Sequence, residues 1–564
     1  MSRQRGIALE ILSRRLAGIA DEVATALVRT SFSMIVRDAH DYSCAICDAG
    51  GSMLMQASHG NPSHVGALYR TLKTILADHH PVASLRPGDV LITNDPWIGN
   101  GHLPDVFVIT PAFRHGKVVA FVVSIVHHMD FGGRLSTPES REIYEEGLRL
   151  PPMKLCQGGA ESRELLQMIR WNVRVPEKVI GDIRAQVTAT HVGAARIESV
   201  LAEKGWDDID DLGRELLDRT EAAMRAAIRS VPDGHYPYEM LIDEHRGKPI
   251  IIRVAVDVKD DEIHIDYAGT TEQIDRAINV VFNYTNAHTI YAVKCALARD
   301  LPSNEGCMRP IRVSAPSGSI VNAQFPIAVS QRAQIGHILP ELVFQALAPV
   351  IPDQVIAGSG STPLWSHVIS GVFADRRPFL VYFGLQGGLG ARGHADGVSC
   401  LSFPANVANT PVEVLEHEAP LICEQKVLAC DSGGPGRYRG GLGQDFTIRV
   451  RDGLAAPHGR VTATVRGGRF EHPIPGIVAG SAPRRGELLH NGEPVNRSGQ
   501  LLLEAGDSIT FRTPGGGGAG PAHERDRALL RRDVCEGYVS AQRAAADYGE
   551  AISRPPATAR RGEG

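Results

Sequence analysis

Several features that mark large classes of protein are missing from this sequence. Its 564 residues include 59 basic and 64 acidic side chains, for a net charge of −5, so it lacks the basic excess that accompanies nucleic-acid binding. Its longest apolar run, at 118–126, is about half of the roughly 20 residues that a membrane helix requires. The sequence therefore predicts neither nucleic acid nor membrane as a partner.

Cysteine is scarce and irregularly placed. The nine cysteines are an odd number without regular spacing, which is not the pattern of a disulfide framework. Charged residues interrupt the first 15 residues, where a secretion signal would be apolar, so we expect a cytoplasmic protein. Cys44 and Cys47 form one C-x-x-C, but no second pair stands at zinc-ribbon spacing. Because their segment alternates like a strand, we expect them to be structural rather than redox-active or zinc-binding.

The length is sufficient for several domains, and the 59 glycines and 35 prolines favour many turns. Helical and strand-like patterns both occur, which predicts a multidomain α+β fold. Strand-like segments dominate after Ser402, among them 411–418, and one helix is expected to close the fold. The predicted regions are an α+β region at 1–135, a helical region at 136–230, a mixed α+β region at 231–401, a β-rich domain at 402–525, a closing helix at 526–552 and a disordered tail at 553–564.

Two polar segments flank the most apolar part of the chain. NDPWIGNGHLPDV lies at 94–106, and VHHMDFGG lies at 126–133. Between them, the pattern predicts two strands, one from Asp105 and one from Lys117, joined by a tight turn in which Gly116 supplies a positive φ. Both polar segments then meet at the open end of one hairpin.

The hairpin brings an acid and a histidine pair together, but the spacing leaves the register open. In a regular hairpin Asp105 lies opposite Val126 and shares its face with His128. A one-residue bulge would bring His127 to Asp105 instead. His102 lies three residues before Asp105, in the loop that leads to the same end, so we expect it to join the group.

Three chemical interpretations fit this group. The polar side chains can cap strand ends and bond to loop amides, as we expect of Asn94 and Asp95. They can carry acid–base chemistry without a metal, or they can bind a metal. Imidazoles and carboxylates without a thiolate are ligands typical of Zn, Mn or Fe, and Asp130 is a candidate acceptor for an imidazole N–H.

The motifs at 94–106 and 127–133 resemble those of the hydantoinase B/5-oxoprolinase family. That family includes the N-methylhydantoinase B-type subunit and related acetone and acetophenone carboxylase subunits. The resemblance extends over nearly the whole chain, and several motifs in one order are more specific than any one of them. The further motifs are LPSNEGCMRPI, FPANVANTPVEVLE, DSGGPGRYRGGLG and TPGGGGAG.

This resemblance implies a division of labour within a hetero-oligomer. A hydantoinase A-type partner is expected to bind ATP with magnesium and to phosphorylate a small cyclic amide or ketone. The B-type chain is expected to hold one divalent metal at the place where the activated intermediate is attacked.

The resemblance also implies residue roles, and it selects His127 from the histidine pair. His128 and Asp130 are then expected to be neighbouring catalytic residues. The implied metal ligands are Asp41, His102, Asp105 and His127.

Two glycine-rich stretches, at 384–393 and 513–520, invite comparison with phosphate-binding loops. Neither contains the lysine that a P-loop requires after its glycines, so we expect places where backbone segments approach closely. Their composition agrees with ATP binding on the partner.

The expected function is ATP-dependent opening of a cyclic amide such as a hydantoin or 5-oxoproline. The alternatives are ATP-dependent carboxylation of a ketone and a non-catalytic scaffold, which would have no need of four convergent ligands.

Overall fold

The computed structural model describes residues 3–135, 137–245, 248–453, 461–495 and 498–552. Helices and several sheets occur along these residues, which confirms the predicted α+β class. The helices are α1 (Arg3–Thr30), α2 (Met34–Arg37), α3 (Pro62–Asp78), α4 (Arg163–Asn172), α5 (Pro176–Lys204), α6 (Asp210–Ile228), α7 (Phe282–Leu297), α8 (Ala333–Gly336), α9 (Leu339–Leu347), α10 (Val412–Glu418), α11 (Arg527–Glu536) and α12 (Ala541–Tyr548).

Sheet I carries the candidate site. Its strands are β1 (Tyr42–Asp48), β2 (Met53–Gln56), β3 (Val90–Thr93), β4 (Asp105–Arg114), β5 (Lys117–His127), β6 (Met153–Gln157) and β7 (Ala160–Glu161). They lie in the order β2-β1-β5-β4-β3-β6-β7, and every neighbouring pair is antiparallel. β6 and β7 come from the region predicted to be helical, so that region supplies strands as well as α4, α5 and α6.

Both faces of sheet I are covered, which explains the long apolar run on β5. Val122 and Val126 pack on one side, in a core shared with α1 and α5. Phe121, Val123 and Ile125 pack on the other side, in a core that reaches α3 and α7. A strand buried on both faces has no solvent side, so its sequence is continuously apolar instead of alternating.

The cysteine pair Cys44 and Cys47 lies on β1, and both thiols are buried. Burial raises the pKa of each thiol above its ordinary value. A thiol held in its neutral form is a weak nucleophile and a weak metal ligand, which supports the structural interpretation.

Three further sheets follow along the chain. Sheet II, in the order β11-β10-β9-β8, is built from β8 (Gly234–His245), β9 (Lys248–Lys259), β10 (Glu262–Asp266) and β11 (Ile311–Ser314). Sheet III has the order β13-β12-β16-β19, with β12 (Trp365–Val372), β13 (Pro378–Leu385), β16 (Val461–Val465) and β19 (Gly499–Leu503). Sheet IV has the order β14-β15-β20-β17-β18, with β14 (Leu421–Leu428), β15 (Gln444–Val450), β17 (Glu487–His490), β18 (Glu493–Pro494) and β20 (Ser508–Arg512).

Sheet III joins strands from two of the predicted regions. β12 and β13 precede residue 401, whereas β16 and β19 follow it, and Val368 on β12 pairs with Thr464 on β16. Sheets III and IV share one core, which includes Phe383 and Phe511. The region boundaries themselves stay predictions, but the mixed region and the β-rich region contribute to the same sheet.

The glycine-rich stretches pack against each other through their backbones. Gly388 N–H donates to Pro514 O (3.1 Å), and Ala391 N–H donates to Gly517 O (2.9 Å). A Cβ at Gly516 would clash with the carbonyl of Leu389, which lies in the other stretch. Both stretches therefore provide the close backbone approach that their composition predicts.

Two predicted elements differ from the structure. Residues 412–418 form α10, not a strand, because Pro411 precedes a first helical turn and one apolar side chain, Leu415, is enough to anchor so short a helix. The closing segment is two helices, α11 and α12, because Gly537 ends α11 with a left-handed φ of 77°.

The predicted disordered tail at 553–564 lies outside the described residues. Among the described helices none is long and apolar enough to span a membrane.

Candidate metal centre

The hairpin of β4 and β5 sets the register at the candidate site. Its turn places His115 and Gly116 at φ values of 50° and 75°, as a two-residue hairpin turn requires. Arg114 pairs with Lys117, but the register shifts by one residue between Ala112 and Phe113. From that bulge onward the pairing brings Asp105 opposite His127. The structure thus contains the bulged register, one of the two that the sequence allowed.

The two histidines lie on opposite faces of sheet I, and the bulge decides which of them faces Asp105. His127 lies on the face of Val123 and Ile125, next to Asp105. His128 is fully buried on the other face, where its Nε2 lies 3.0 Å from the Gln186 side-chain oxygen on α5. Adjacent strand residues alternate in this way, so one ion can reach only one of the two rings.

His102 reaches the site from the loop between β3 and β4. Asn94 holds the base of this loop, because its side chain donates to Leu103 O (2.9 Å) and accepts from Leu150 N–H (2.6 Å). Asp95 accepts from Trp97 N–H at 3.0 Å. These are the loop-bonding roles expected of Asn94 and Asp95.

Three side chains converge into a group that could hold a metal ion. His102, Asp105 and His127 are buried, and one potential ligand atom from each lies within 4.8 Å of the others. Asp105 Oδ1 faces both rings, at 2.7 Å from His102 Nε2 and 3.0 Å from His127 Nδ1. The donor set is two imidazoles and a carboxylate, which suits Zn, Mn or Fe.

The other oxygen of Asp105 is held away from the group. Asn100 Nδ2 donates to Oδ2 at 2.5 Å, and an Arg332 guanidinium N–H donates to it at 2.6 Å. Arg332 also donates from Nε to Asn100 O at 2.5 Å and packs over the Tyr284 ring at 4.2 Å. These contacts fix the carboxylate so that Oδ1 is the oxygen presented to the histidines.

His102 is oriented as a metal-ligating histidine would be. Its Nδ1 lies 3.3 Å from Ser330 O, so a proton on Nδ1 can be donated there and leaves Nε2 with a lone pair. Nε2 lies 2.7 Å from Asp105 Oδ1, but this buried nitrogen makes no hydrogen bond of regular geometry with the described residues. A buried nitrogen that lacks a hydrogen-bond donor is available to bind a metal ion.

The protonation states of these groups favour a cation. Burial and the Arg332 charge lower the pKa of His102 to about 3, so its ring is neutral at pH 7. Burial alone would raise the pKa of Asp105, but the neighbouring His102 and Arg332 side chains lower it well below its ordinary value. Since His102 is neutral, we assign the ionised state of Asp105 mainly to Arg332. A neutral imidazole beside a carboxylate is ready to bind metal.

Asp41 lies beside the group without being part of the set of three. It precedes β1, and its carbonyl accepts a hydrogen bond from His127 N–H at 3.1 Å. His64 Nε2 lies between the two acids, 3.9 Å from Asp41 Oδ1 and 3.5 Å from Asp105 Oδ2. Asn61 donates to Asp41 Oδ1 at 2.9 Å. Asp41 as a fourth ligand therefore stays a prediction.

Asp130, expected as an acceptor for an imidazole, is bonded elsewhere. Its Oδ1 accepts from Gly132 N–H (2.8 Å) and from the Arg174 guanidinium (3.0 Å), and its Oδ2 accepts from Arg174 N–H. In the described part of the chain its hydrogen bonds tie the end of the hairpin to the start of α5. Its predicted catalytic role, like that of His128, stays a prediction.

Sequence reasoning missed the residues that support the group. Arg332, His64 and Glu146 come from three other parts of the chain, and nothing in their spacing points to Asp105. Glu146 is buried and accepts from Val329 N–H (2.9 Å) and Ser330 N–H (2.8 Å), which fixes the carbonyl that orients His102. Only the tertiary structure brings them together.

Glu146 makes a testable contribution to stability. Burial raises the pKa of its carboxyl from 4.5 to about 8. Between these values the native chain holds a proton that the unfolded chain releases. The contribution to stability is therefore complete below pH 4.5 and is lost by roughly 1.4 kcal/mol per pH unit up to pH 8.

We expect Glu146→Gln, which cannot ionise, to flatten this decline. The measurement is the midpoint of urea-induced unfolding of the metal-free chain at several pH values on either side of neutrality. Equal pH dependence in wild type and variant would contradict the assignment.

A match to a protein-family model, together with the fold and the site, identifies the class of protein. The family model described as hydantoinase B/oxoprolinase matches residues 5–522. The chain belongs to this family.

Two similar proteins match over nearly their full lengths. An uncharacterised protein of Methanocaldococcus jannaschii is 32% identical over 553 residues, covering 96% of this chain and 95% of that protein. The B-type component of a putative D-/L-hydantoinase from a Pseudomonas species is 29% identical over 581 residues, with coverage of 97% and 95%.

Solved structures match as well. The ATP-dependent caprolactamase from Pseudomonas jessenii superposes with a TM-score of 0.89 at 28% identity, covering 97% of this chain and 96% of that chain. The nucleotide-free structure of acetone carboxylase gives a TM-score of 0.84 at 18% identity, with coverage of 96% and 79%. At that identity the second likeness shows the fold alone.

Proposed function

We propose that this chain is the metal-binding B-type component of an enzyme that opens cyclic amides with ATP. The observation that carries the proposal is the buried group of His102, Asp105 and His127, in which one carboxylate oxygen faces two imidazoles. Membership of the hydantoinase B/oxoprolinase family and the resemblance to a hydantoinase component and to caprolactamase support the reaction class.

The residues fit one divalent ion. His102 Nε2, Asp105 Oδ1 and His127 Nδ1 would hold it, with Asp41 as the proposed fourth ligand. When bound, such an ion supplies positive charge that polarises a carbonyl or phosphoryl oxygen and favours ionisation of water. Arg332 and Asn100 hold the second carboxylate oxygen outward, which keeps the ligand geometry fixed before substrate arrives.

The reaction balances in three steps. The partner transfers a phosphoryl group from ATP to the amide oxygen and releases ADP. A water oxygen then bonds to the activated carbon and the ring carbon–nitrogen bond breaks, with one proton going to the nitrogen. The resulting acyl phosphate takes up a second water and yields a carboxylate and inorganic phosphate.

The glycine-rich stretches support a location for ATP outside this chain. Gly388 and Pro514, one from each stretch, are buried and joined by a backbone hydrogen bond, and neither stretch carries a P-loop lysine. This packing supports ATP binding by an A-type partner, in a hetero-oligomer, rather than by this chain.

The test is ADP release by the purified chain with and without its A-type partner, on hydantoin, 5-oxoproline and caprolactam. We expect substrate-dependent ADP, with one molecule of ring-opened product per ADP, only when both chains are present. ADP formation by this chain alone would contradict the proposal. Turnover only with a ketone and bicarbonate would instead support the carboxylase alternative, and partner ADP formation unaffected by His102→Ala would support a scaffold.

A further inference from the structure

We propose that Arg466 binds a small oxyanion, a phosphoryl or carboxylate group of the reactant, beside the candidate metal centre. This inference rests on the proposed function for the identity of the anion. It rests on the fold of sheet III for the position of the cation.

Sheet III presents Arg466 on the face that covers the site. Thr464 on β16 pairs with Val368 on β12, which pairs with Tyr382 on β13, so these three side chains share one face. Arg466 lies two residues after Thr464 and returns to that face. The Tyr382 ring lies 5.1 Å from the His127 ring, and the Arg466 guanidinium lies 5.6 Å from the centre of the Tyr382 ring.

Arg466 is buried without a counter-charge from any residue that the structure describes. The residue is 7% exposed, and its Nε has no hydrogen-bond partner within the described residues. Its backbone N–H donates to His367 Nδ1 at 3.3 Å, which fixes the chain at this point but leaves the guanidinium uncompensated. A π face supplies only a weak attraction, so the cation lacks the partner that burial of a charge demands.

The other buried arginines show what Arg466 lacks. Each makes a short ion pair with a buried or half-buried carboxylate. These pairs are Arg332–Asp105 (2.6 Å), Arg439–Asp533 (3.2 Å), Arg469–Glu341 (2.9 Å) and Arg525–Asp396 (2.8 Å). No carboxylate of the described residues lies within ion-pair distance of Arg466. A buried charge needs a compensating partner, so the open guanidinium of Arg466 favours the binding of an external anion.

The chemistry of the reactants supplies such an anion. A phosphorylated amide carries a phosphoryl group, and 5-oxoproline carries a carboxylate, whereas caprolactam is neutral before activation. A planar guanidinium donates two parallel hydrogen bonds to either oxyanion. Arg466 and His127 both contact the Tyr382 ring, so an anion held by Arg466 lies close to the metal ligands.

Inorganic phosphate tests the site without turnover. We expect phosphate to raise the melting temperature of the full chain saturably, and Arg466→Met to weaken this binding by at least about tenfold. Arg466→Met should also melt no lower than wild type without phosphate, because it removes an unpaired buried charge. Arg449→Met is the matched control, since Arg449 on β15 pairs with Glu424 at 2.7 Å in sheet IV. Equal phosphate binding by wild type and Arg466→Met, or none by wild type, would overturn the proposal.

Turnover with the A-type partner identifies which anion is bound. If Arg466 holds the phosphoryl group, Arg466→Met lowers kcat for both caprolactam and 5-oxoproline, and Arg466→Lys restores part of it. If Arg466 holds the substrate carboxylate, only the KM for 5-oxoproline rises. If wild type turns over neither lactam, the proposed function fails, and the phosphate titration still decides whether the oxyanion site exists.

Discussion

Replacing His127 by alanine is expected to remove the metal and the activity together, whereas His128→Ala should keep the metal. His127 presents Nδ1 to Asp105 Oδ1 at 3.0 Å, while His128 lies on the opposite face of sheet I and contacts Gln186. Loss of a direct ligand should lower metal affinity by more than the roughly 10- to 100-fold that loss of a supporting residue typically causes. His128→Ala should instead destabilise the fold by about 1–3 kcal/mol, because it leaves Gln186 without its buried partner.

Both variants are compared by elemental analysis and by turnover with the A-type partner. His102→Ala and Asp105→Ala should match His127→Ala, and Asp41→Ala tests the fourth predicted ligand. A filled site in His127→Ala together with an empty site in His128→Ala would mean that the regular hairpin register holds in solution. Unchanged metal content in both His102→Ala and Asp105→Ala would disprove the metal centre.

Removing the Arg332 charge is expected to destabilise the metal-free chain strongly. The Arg332 guanidinium is buried and bonded to Asp105 Oδ2 at 2.6 Å. Arg332→Met leaves that carboxylate charged and buried, and breaking one side of a buried ion pair costs about 3–5 kcal/mol. A divalent ion carries its own positive charge to Asp105, so the cost should shrink when metal is bound.

The measurement is the midpoint of urea-induced unfolding, with and without metal, for wild type, Arg332→Met and Arg332→Lys. Arg332→Lys keeps the charge but loses the Nε–H bond to Asn100 O, so it should lie between the other two. Equal destabilisation by Arg332→Met with and without metal would show that Arg332 stabilises the fold through packing alone.

The site could be predicted from the sequence as far as local geometry reaches. The two strands, the turn at Gly116 and the meeting of Asp105 with the histidine pair follow from apolar patterning and turn chemistry, which act over a few residues. The bulge after Ala112 could not be predicted, because a one-residue shift leaves no mark in an apolar run that is buried on both faces. The family resemblance, and not the residue spacing, selects His127 as the ligand.

The short reach of local sequence patterns also explains where the predicted elements differ from the structure. β6 and β7 lie in a predominantly helical region, and they form strands because β3 offers an open sheet edge. The sequence predicts a strand where α10 lies, because the apolar pattern of seven residues is too short to distinguish a helix from a strand. The break at Gly537 shows that a helical pattern can continue across a residue that ends one helix.

The sequence by itself determined the α+β class, the family, the apolar hairpin and the meeting of His102 and Asp105 with the histidine pair, from which the family resemblance selects His127. Tertiary structure alone decided which oxygen of Asp105 faces the rings, since Arg332 and Asn100 hold the other. It also decided that Arg466 lies over Tyr382 without a counter-charge among the described residues. Charges act through space, so partners hundreds of residues apart leave no spacing in the chain by which they can be recognised.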